Sequence, residues 1–259
     1  MTPVCERVVG KMIGVARLHD VVYVFCRQPL IRIYGYNART RKRLPHITNL
    51  DVILPWDVAA CQQTSHLYVT DCREPCVWRV SPTGVPTRWW TRSRSDGFRP
   101  FTLSVTSSRV LVTSQLGNQL MQLNAGGHQL RRVRLPQHMI PHHAIESRTG
   151  TFIVSHHNAQ QLSEVDREGR TLCQFSRGPS LGWPIHIAID SEGNLFVADS
   201  DNRRILLLDP QLALRRVIID KDQLNNGQPR RLCYNQQSAQ LMVLLLDGRS
   251  VTVFDVLQR

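Results

Sequence analysis

Apolar and polar positions alternate in short runs that recur along the whole chain. A proline-led apolar phrase begins at Pro55, Pro100, Pro141, Pro184 and Pro229, at intervals of 45, 41, 43 and 45 residues. A copy without its proline begins at Lys11. Each copy holds several short runs rich in Val, Ile, Phe and Tyr, bounded by Gly, Pro, Asn and Asp, which is the pattern of β-strands.

Each repeat accommodates four strands, and the last two copies show it best. Residues 195–209 align on residues 241–255 without a gap. Fourth strands are predicted at residues 41–47, 87–91, 129–135, 171–175 and 214–219. Four strands in each repeat of this length predict an all-β fold, a six-bladed β-propeller with four-stranded antiparallel blades.

One period covers the chain, which predicts a single domain over residues 1–259. The blades are expected at approximately 11–50, 51–95, 96–136, 137–179, 180–224 and 225–259. Because the last copy ends after three strands, residues 3–9 are predicted to supply its fourth strand. Such closure would remove an open sheet edge.

Residues 184–209, PIHIAIDSEGNLFVADSDNRRILLLD, resemble the NHL repeat. That repeat joins a Pro-led strand, Asp, Gly, a Val-Ala-Asp strand, Asn-Arg-Ile and an apolar strand. The other copies match with losses: Asp71 and Asp199 keep the acidic residue, where Cys26, Ser114, His156 and Leu245 replace it in four other copies.

The resemblance implies a binding platform similar to the NHL propellers of tripartite-motif ubiquitin ligases, which recognise proteins or single-stranded RNA. The chain lacks the closely spaced Cys and His pairs of a zinc-binding RING domain. We therefore expect a non-catalytic recognition module without a cofactor, for protein partners or RNA, in a ubiquitin-ligase pathway. No sequence readout of DNA and a monomeric state are expected.

The net charge of the chain bears on the class of partner that it binds. The chain has 32 Lys and Arg against 20 Asp and Glu, a formal net charge of +12. The predicted fourth strands collect Arg residues, which form either a solvated edge that prevents sheet pairing or a rim that binds phosphate. Both interpretations stay open at this point.

Cysteine usage and hydropathy bear on the compartment. Seven scattered cysteines, an odd number, fit a reducing compartment better than a disulfide scaffold. Residues 1–9 have no apolar run of signal-peptide length, and the longest apolar stretch, residues 241–246, is too short to span a bilayer. A cytoplasmic or nuclear protein without membrane contact is expected.

Loops between second and third strands, together with the segments that lead into each blade, are predicted to share one binding face. Arg beside an exposed Trp could pair with and stack on unstacked bases, although at least one of two Trp residues in a predicted strand is expected to pack inside. The candidate binding residues are Arg73, Trp89, Trp90, Arg99, Asn118, His156, His157, Asn158, Arg203, Arg204, Arg230 and Arg231.

Three histidines raise the question of a metal site. His143 and His186 occupy the same place on adjacent innermost strands, so both could face one channel, and His142 lies beside them. The same place elsewhere is predicted to hold Ile13, Asp57, Thr102 and Arg231. Two His ligands do not complete a zinc site, and Asp57 is two blades away from His143. The alternative function is a channel-sited, metal-dependent propeller enzyme similar to the amidating lyase or to lactonases.

Overall fold

The computed structural model describes residues 2–3, 11–27, 31–45, 50–106, 109–156, 159–175 and 181–256. In this part of the chain 23 strands form six antiparallel sheets, and the one helical segment is a short 3-10 turn at Arg94–Asp96. No helix in the described residues is long and apolar enough to cross a membrane.

Each sheet is one blade, and its strands follow one another in chain order from the inside outward. The first blade holds β2 (Met12–Leu18), β3 (Val21–Cys26) and β4 (Arg32–Asn37). The second holds β5 (Pro55–Cys61), β6 (His66–Asp71), β7 (Cys76–Val80) and β8 (Pro86–Thr91). The third holds β9 (Leu103–Thr106), β10 (Arg109–Ser114), β11 (Gln119–Leu123) and β12 (Gln129–Arg134).

The remaining blades repeat the same order. The fourth holds β13 (Pro141–Glu146), β14 (Phe152–His156), β15 (Leu162–Val165) and β16 (Thr171–Gln174). The fifth holds β17 (Pro184–Ile189), β18 (Leu195–Asp199), β19 (Arg204–Leu208) and β20 (Leu214–Ile219). The last holds β21 (Pro229–Asn235), β22 (Gln240–Leu245) and β23 (Val251–Asp255), with β1 (Thr2–Pro3) beside β23.

The first strands of the blades stand side by side around a central channel. β2, β5, β9, β13, β17 and β21 each contact the next, and β21 contacts β2, so the ring is complete. Apolar faces of neighbouring sheets pack on each other: Phe25 and Ile33 of the first blade share a buried cluster with Leu67 and Val69 of the second. The predicted six-bladed propeller is confirmed.

Outer strands follow the prediction in the second to fifth blades and depart from it in the first. There, the described residues form only one bridge, between Tyr36 and Arg43, where a strand over residues 41–47 was expected; residues 46 and 47 lie outside the described part. In the last blade Thr2 pairs with Val253 and Pro3 with Thr252. Because residues 4–9 lie outside the described part, closure by residues 3–9 stays a prediction.

Candidate active site in the channel

A β-bulge near the start of the inner strand sets the side chains of the channel. In the fourth blade Pro141 pairs with His156 whereas His143 pairs with Ser155, so His142 is the extra residue. The first, second, fifth and last blades show the same shift. A bulge re-aims the side chains beside it. The residues that follow it, with Thr102 in the third blade, are here called the channel ring: Gly14, Asp57, Thr102, His143, His186 and Arg231.

The first blade corrects the predicted ring by one residue. Met12 pairs with Cys26 and Gly14 with Phe25, so Gly14 and not Ile13 holds the ring position. Ile13 is instead buried in the apolar cluster between the first two blades. A Cβ atom on Gly14 would lie 2.6 Å from Cγ1 of Val58. The first blade therefore contributes no side chain to the ring.

Hydroxyl groups on the second strands hold three of the ring residues. The backbone N–H groups of Asp57, Thr102 and His143 donate to the side chains of Thr70, Thr113 and Ser155 at 3.1, 3.0 and 3.1 Å. A bulge interrupts the regular ladder of backbone hydrogen bonds, so in the blades of Asp57 and His143 these hydroxyls bind N–H groups that the bulge leaves unpaired.

Ring side chains also accept hydrogen bonds from the next blade. Leu103 N–H donates to Asp57 Oδ2 at 3.1 Å. Ile187 N–H donates to His143 Nδ1 at 3.3 Å, and Leu232 N–H donates to His186 Nδ1 at 3.4 Å. Each contact links one blade to the backbone of its neighbour. Asp and His suit these positions because both offer an acceptor atom.

A buried ion pair crosses the ring. Arg231 Nε donates to Asp57 Oδ1 at 2.9 Å, and the two side chains are only 2% and 1% exposed. The other guanidinium nitrogens donate to the carbonyl oxygens of Arg230 (3.2 Å) and Trp56 (3.3 Å). Gly14 lies between Arg231 and Asp57 in the order of the blades and has no side chain. Burial raises the pKa of Asp57, and the positive charge of Arg231 opposes that rise.

The two ring histidines lie face to face and uncharged. Their centroids are 3.7 Å apart, with 25° between the planes. Burial, and then the charge of Arg231, lower the pKa of His143 to about 3; burial also places the pKa of His186 well below its usual value. Nε2 of His143 is buried and makes no hydrogen bond of normal geometry. Since both Nδ1 atoms accept hydrogen bonds, each neutral ring carries its proton on Nε2.

Asp57, His143 and His186 offer ligand atoms within 4.8 Å of one another, and their chemistry is that of a zinc site. Asp57 and His143 thus lie closer together than was expected for residues that are two blades apart. Their arrangement nevertheless does not fit an ion. A metal lies in the plane of each imidazole that it binds, which two stacked rings cannot share, and Nε2 presents a proton rather than a lone pair. Asp57 already holds the cation Arg231.

A cavity of about 250 Å³ adjoins the ring. His143 and His186 line it together with residues that follow the ring along the inner strands, among them Val58, Leu103 and Leu232. Most of these neighbours are apolar. The cavity can therefore hold the body of a small molecule while ring groups contact its polar part.

Aromatic side chains surround the channel on the other side of the ring. Trp56 stacks on Phe101 at 4.8 Å, Phe101 meets His142 edge to face at 5.4 Å, and His142 meets Trp183 at 5.8 Å. The Arg230 guanidinium lies 5.8 Å from the centre of the Trp56 ring. These five residues, Trp56, Phe101, His142, Trp183 and Arg230, are here called the mouth. Nδ1 of His142 lies 2.7 Å from the Ile185 carbonyl oxygen, which can only accept, so Nδ1–H donates and the neutral ring has its lone pair on Nε2.

Several residues predicted for a binding face are packed inside. Trp90 is buried against Phe98, and Trp89 packs on Tyr68 while its Nε1–H donates to the Ala125 carbonyl of the next blade. His156 is fully buried, and its Nε2 lies 3.0 Å from Ser163 Oγ. Trp90 is thus buried and Trp89 half-buried, because both rings fill space between strands and blades; base stacking on these two residues stays a prediction.

The remaining candidates differ in their burial and contacts. Arg204 is bound to Asp199 at 2.7 Å, and the Asn118 amide donates to the Gln137 carbonyl in the segment that leads into the fourth blade. Arg73, Arg99 and Arg203 are exposed. Arg230 and Arg231 are buried at the channel. His157 and Asn158 lie outside the described residues.

Sequence reasoning missed the aromatic part of the mouth. Trp56 and Phe101 directly follow the blade prolines, as His142 and Arg230 do. That shared position was the available signal, because residues at one place in successive blades lie around one axis. Trp183 precedes its proline and gave no such signal.

Comparison with known proteins supports the fold across the chain. No protein-family model and no curated protein matches this sequence, so the NHL resemblance stays a prediction. A gluconolactonase from Xanthomonas campestris is similar with a TM-score of 0.74 and 15% identity over 97% of this chain and 87% of that one. Virginiamycin B lyase from Staphylococcus aureus gives 0.65 and 11% over 96% and 85%. Kuenenia stuttgartiensis hydrazine synthase gives 0.67 and 12% over 97% of both chains.

These structures correct the functional expectation. The prediction of a non-catalytic recognition module in a ubiquitin-ligase pathway is wrong, because the similar structures named here are those of enzymes, a lactonase and a lyase among them. At such low identity the likeness itself establishes the propeller fold. The alternative was a metal-dependent enzyme with its site in the channel. Its enzyme part agrees with the neighbours and with the convergence of buried ionisable groups on the ring, whereas the ring residues do not fit its metal.

Proposed function

We propose that the protein is an enzyme that hydrolyses a cyclic ester of a small molecule in its channel. The observation that carries this proposal is the convergence of Asp57, His143, His186 and Arg231, from four blades, on one buried spot beside a cavity. Buried ionisable groups with strongly shifted pKa values cluster at catalytic sites. The named gluconolactonase neighbour supports the reaction class.

The side chains suit ester hydrolysis. His142 is the general base: the Ile185 carbonyl accepts a hydrogen bond from its Nδ1–H, and Nε2 is the ring nitrogen that takes a proton from water. The resulting hydroxide adds to the ester carbon. Arg231 and the Nε2–H of His143 stabilise the negative charge that develops on the carbonyl oxygen. The C–O bond that closes the cyclic ester then breaks, and the leaving oxygen takes the proton from His142, which yields a hydroxy acid.

A neutral histidine that donates a hydrogen bond is an effective electrophile in a buried site, since it needs no proton transfer of its own. The low pKa of His143, about 3, keeps it in this form at neutral pH. Arg231 supplies a fixed positive charge in a region shielded from water, where its attraction for an oxyanion is strong. Asp57 holds that guanidinium in place.

The test is hydrolysis of glucono-1,5-lactone and of the aromatic lactone dihydrocoumarin, followed with a pH indicator. We expect rates above the spontaneous reaction that persist in excess chelator. His142→Gln should lower kcat by about a hundredfold or more, whereas the exposed control Arg215→Met should not change it. Failure to hydrolyse either lactone, or full activity in His142→Gln, would reject the proposal. Activity that is lost to chelator and restored by a divalent ion would reject the metal-free arrangement.

A further inference from the structure

Arg230 and Arg231 are adjacent in the chain but differ in the hydrogen bonds of their guanidinium groups. Arg231 uses all three guanidinium nitrogens on a carboxylate and two carbonyl groups. Arg230 is nearly as buried, with 9% of its surface exposed. Its guanidinium makes no hydrogen bond or ion pair with any described residue and lies beside the Trp56 ring. Within the described part of the chain, Arg230 is therefore a buried cation without a counterion.

The charged residues around Arg230 do not neutralise its positive charge. Asp57 is the one carboxylate among the charged residues that act on it, and Asp57 is already engaged by Arg231. Arg27 and Arg231 add two further positive charges. Burial first, and then Arg231, lower the pKa of Arg230 to about 10, so the side chain still carries its charge at neutral pH. A buried charge without a partner is strongly unfavourable.

Trp56 presents a second unsatisfied donor at the same place. Its Nε1–H is buried and has no hydrogen-bond partner among the described residues. The Arg230 guanidinium lies over the same indole. Two donors that lack acceptors, side by side, define the chemistry of what would satisfy them: a group with several acceptor oxygens and a negative charge.

The surroundings of these donors define the rest of the ligand. Trp56 and Phe101 stack, and the edge-to-face contacts continue through His142 to Trp183. Flat aromatic walls favour a flat apolar partner, because offset stacking and edge-to-face contacts then become available to it. An ion surrounded only by water would gain nothing from these walls.

We propose that the mouth binds a carboxylate joined to a flat apolar body, with Arg230 and the indole N–H of Trp56 on the carboxylate oxygens and the aromatic side chains on the body. The inference deepens the proposed function and rests on it in one respect, namely that this ligand is the substrate. A substrate anchored here would have its reactive part directed past His142 toward the channel ring. Arg230 is then the residue that selects anionic substrates.

The experiment compares 2-naphthoate with its neutral analogue 2-naphthalenemethanol by isothermal titration of the full chain. We expect the carboxylate to bind about tenfold more tightly or better, as a charge-assisted hydrogen bond provides. Arg230→Met keeps the length of the side chain and should bring the two ligands to parity. Arg215→Met, an exposed arginine on an outer strand, should leave the preference intact.

Two further readings use the same samples. The indole N–H resonance of Trp56, assigned with Trp56→Phe, should move when naphthoate binds. Arg230→Met should melt at a higher temperature than the native protein without ligand, since it removes an unpaired buried charge. Equal binding of the two naphthalene compounds by the native protein, an unchanged preference in Arg230→Met, or equally tight binding of inorganic phosphate would overturn the inference.

Binding and turnover separate the two proposals. Naphthoate binding through Arg230 without lactone hydrolysis would leave the inference standing and reject the proposed reaction. Lactone hydrolysis by a protein that does not distinguish the carboxylate from the alcohol would do the reverse.

Discussion

The channel ring and the outer strands use the same residue type in opposite ways. Arg231 lies at the axis, 2% exposed, with three partners. Arg215 lies on β20 and is exposed, and Arg131 of β12 approaches Glu168 only to 3.9 Å at the surface. Exposed ion pairs contribute about 0–1 kcal/mol, whereas removing one member of a buried pair costs about 3–5 kcal/mol. The contribution of an arginine to the stability of this protein therefore depends on how deeply its side chain is buried.

The largest difference between the channel ring and the outer strands is expected for Arg231→Met. Asp57 would keep its buried carboxylate without its cation, so the free energy of unfolding should fall by about 3–5 kcal/mol. Arg215→Met on the outer strand should change it by less than about 0.5 kcal/mol. Urea denaturation of both variants measures the difference. The double variant Asp57→Asn with Arg231→Met should recover much of the loss, because no unpaired charge remains; equal losses in the two single variants would refute the contrast.

Gly14→Ala tests whether the first blade tolerates a side chain at its ring position. The added Cβ would approach Val58 Cγ1 to 2.6 Å, so Val58 or the inner strand must shift. Overpacking of this kind costs about 1–3 kcal/mol. Thermal unfolding should show the loss, and Val58→Ala should restore part of it in the double variant. A Gly14→Ala protein as stable as the native one would mean that the channel accommodates a side chain there.

Acidification tests the neutral histidines of the ring. The folded pKa of His143, about 3, lies below the 6.5 of the free side chain, so the unfolded chain binds more protons below pH 6.5. Its contribution to stability is present above that pH and falls with acid toward pH 3, by about 1.4 kcal/mol for each pH unit. Denaturation between pH 7 and 4 should show a shallower slope in His143→Gln than in the native protein. The exposed control His128→Gln should keep the native slope.

The fold was largely predictable and the site was predictable in part. The repeats gave the outer strands of the second to fifth blades, because period and strand pattern are local properties. His143 and His186 were placed on one channel from their equal distances to the blade prolines. Ile13 was placed there wrongly, because the first copy has no proline and was aligned from Lys11, whereas Met12 takes the place of the blade proline in the structure.

Composition alone could not tell a surface charge from a buried one. Arg203 and Arg204 are adjacent in the chain, as Arg230 and Arg231 are, and the sequence does not distinguish the four. The structure leaves Arg203 exposed in a turn and pairs Arg204 with Asp199 of its own blade. It pairs Arg231 with Asp57 of another blade and buries Arg230 without a hydrogen-bond or ion-pair partner among the described residues.

The sequence by itself determined the number of blades, the order of strands and the ring positions of every blade but the first, because these follow from local alternation repeated at one period. Tertiary structure decided which of those positions meet. Asp57 and Arg231 are 174 residues apart, and only closure of the ring beside Gly14 brings them to 2.9 Å. Burial then determines the charges at the channel. Desolvation keeps His143 uncharged, and it makes the positive charge of Arg230 unfavourable unless an anion binds.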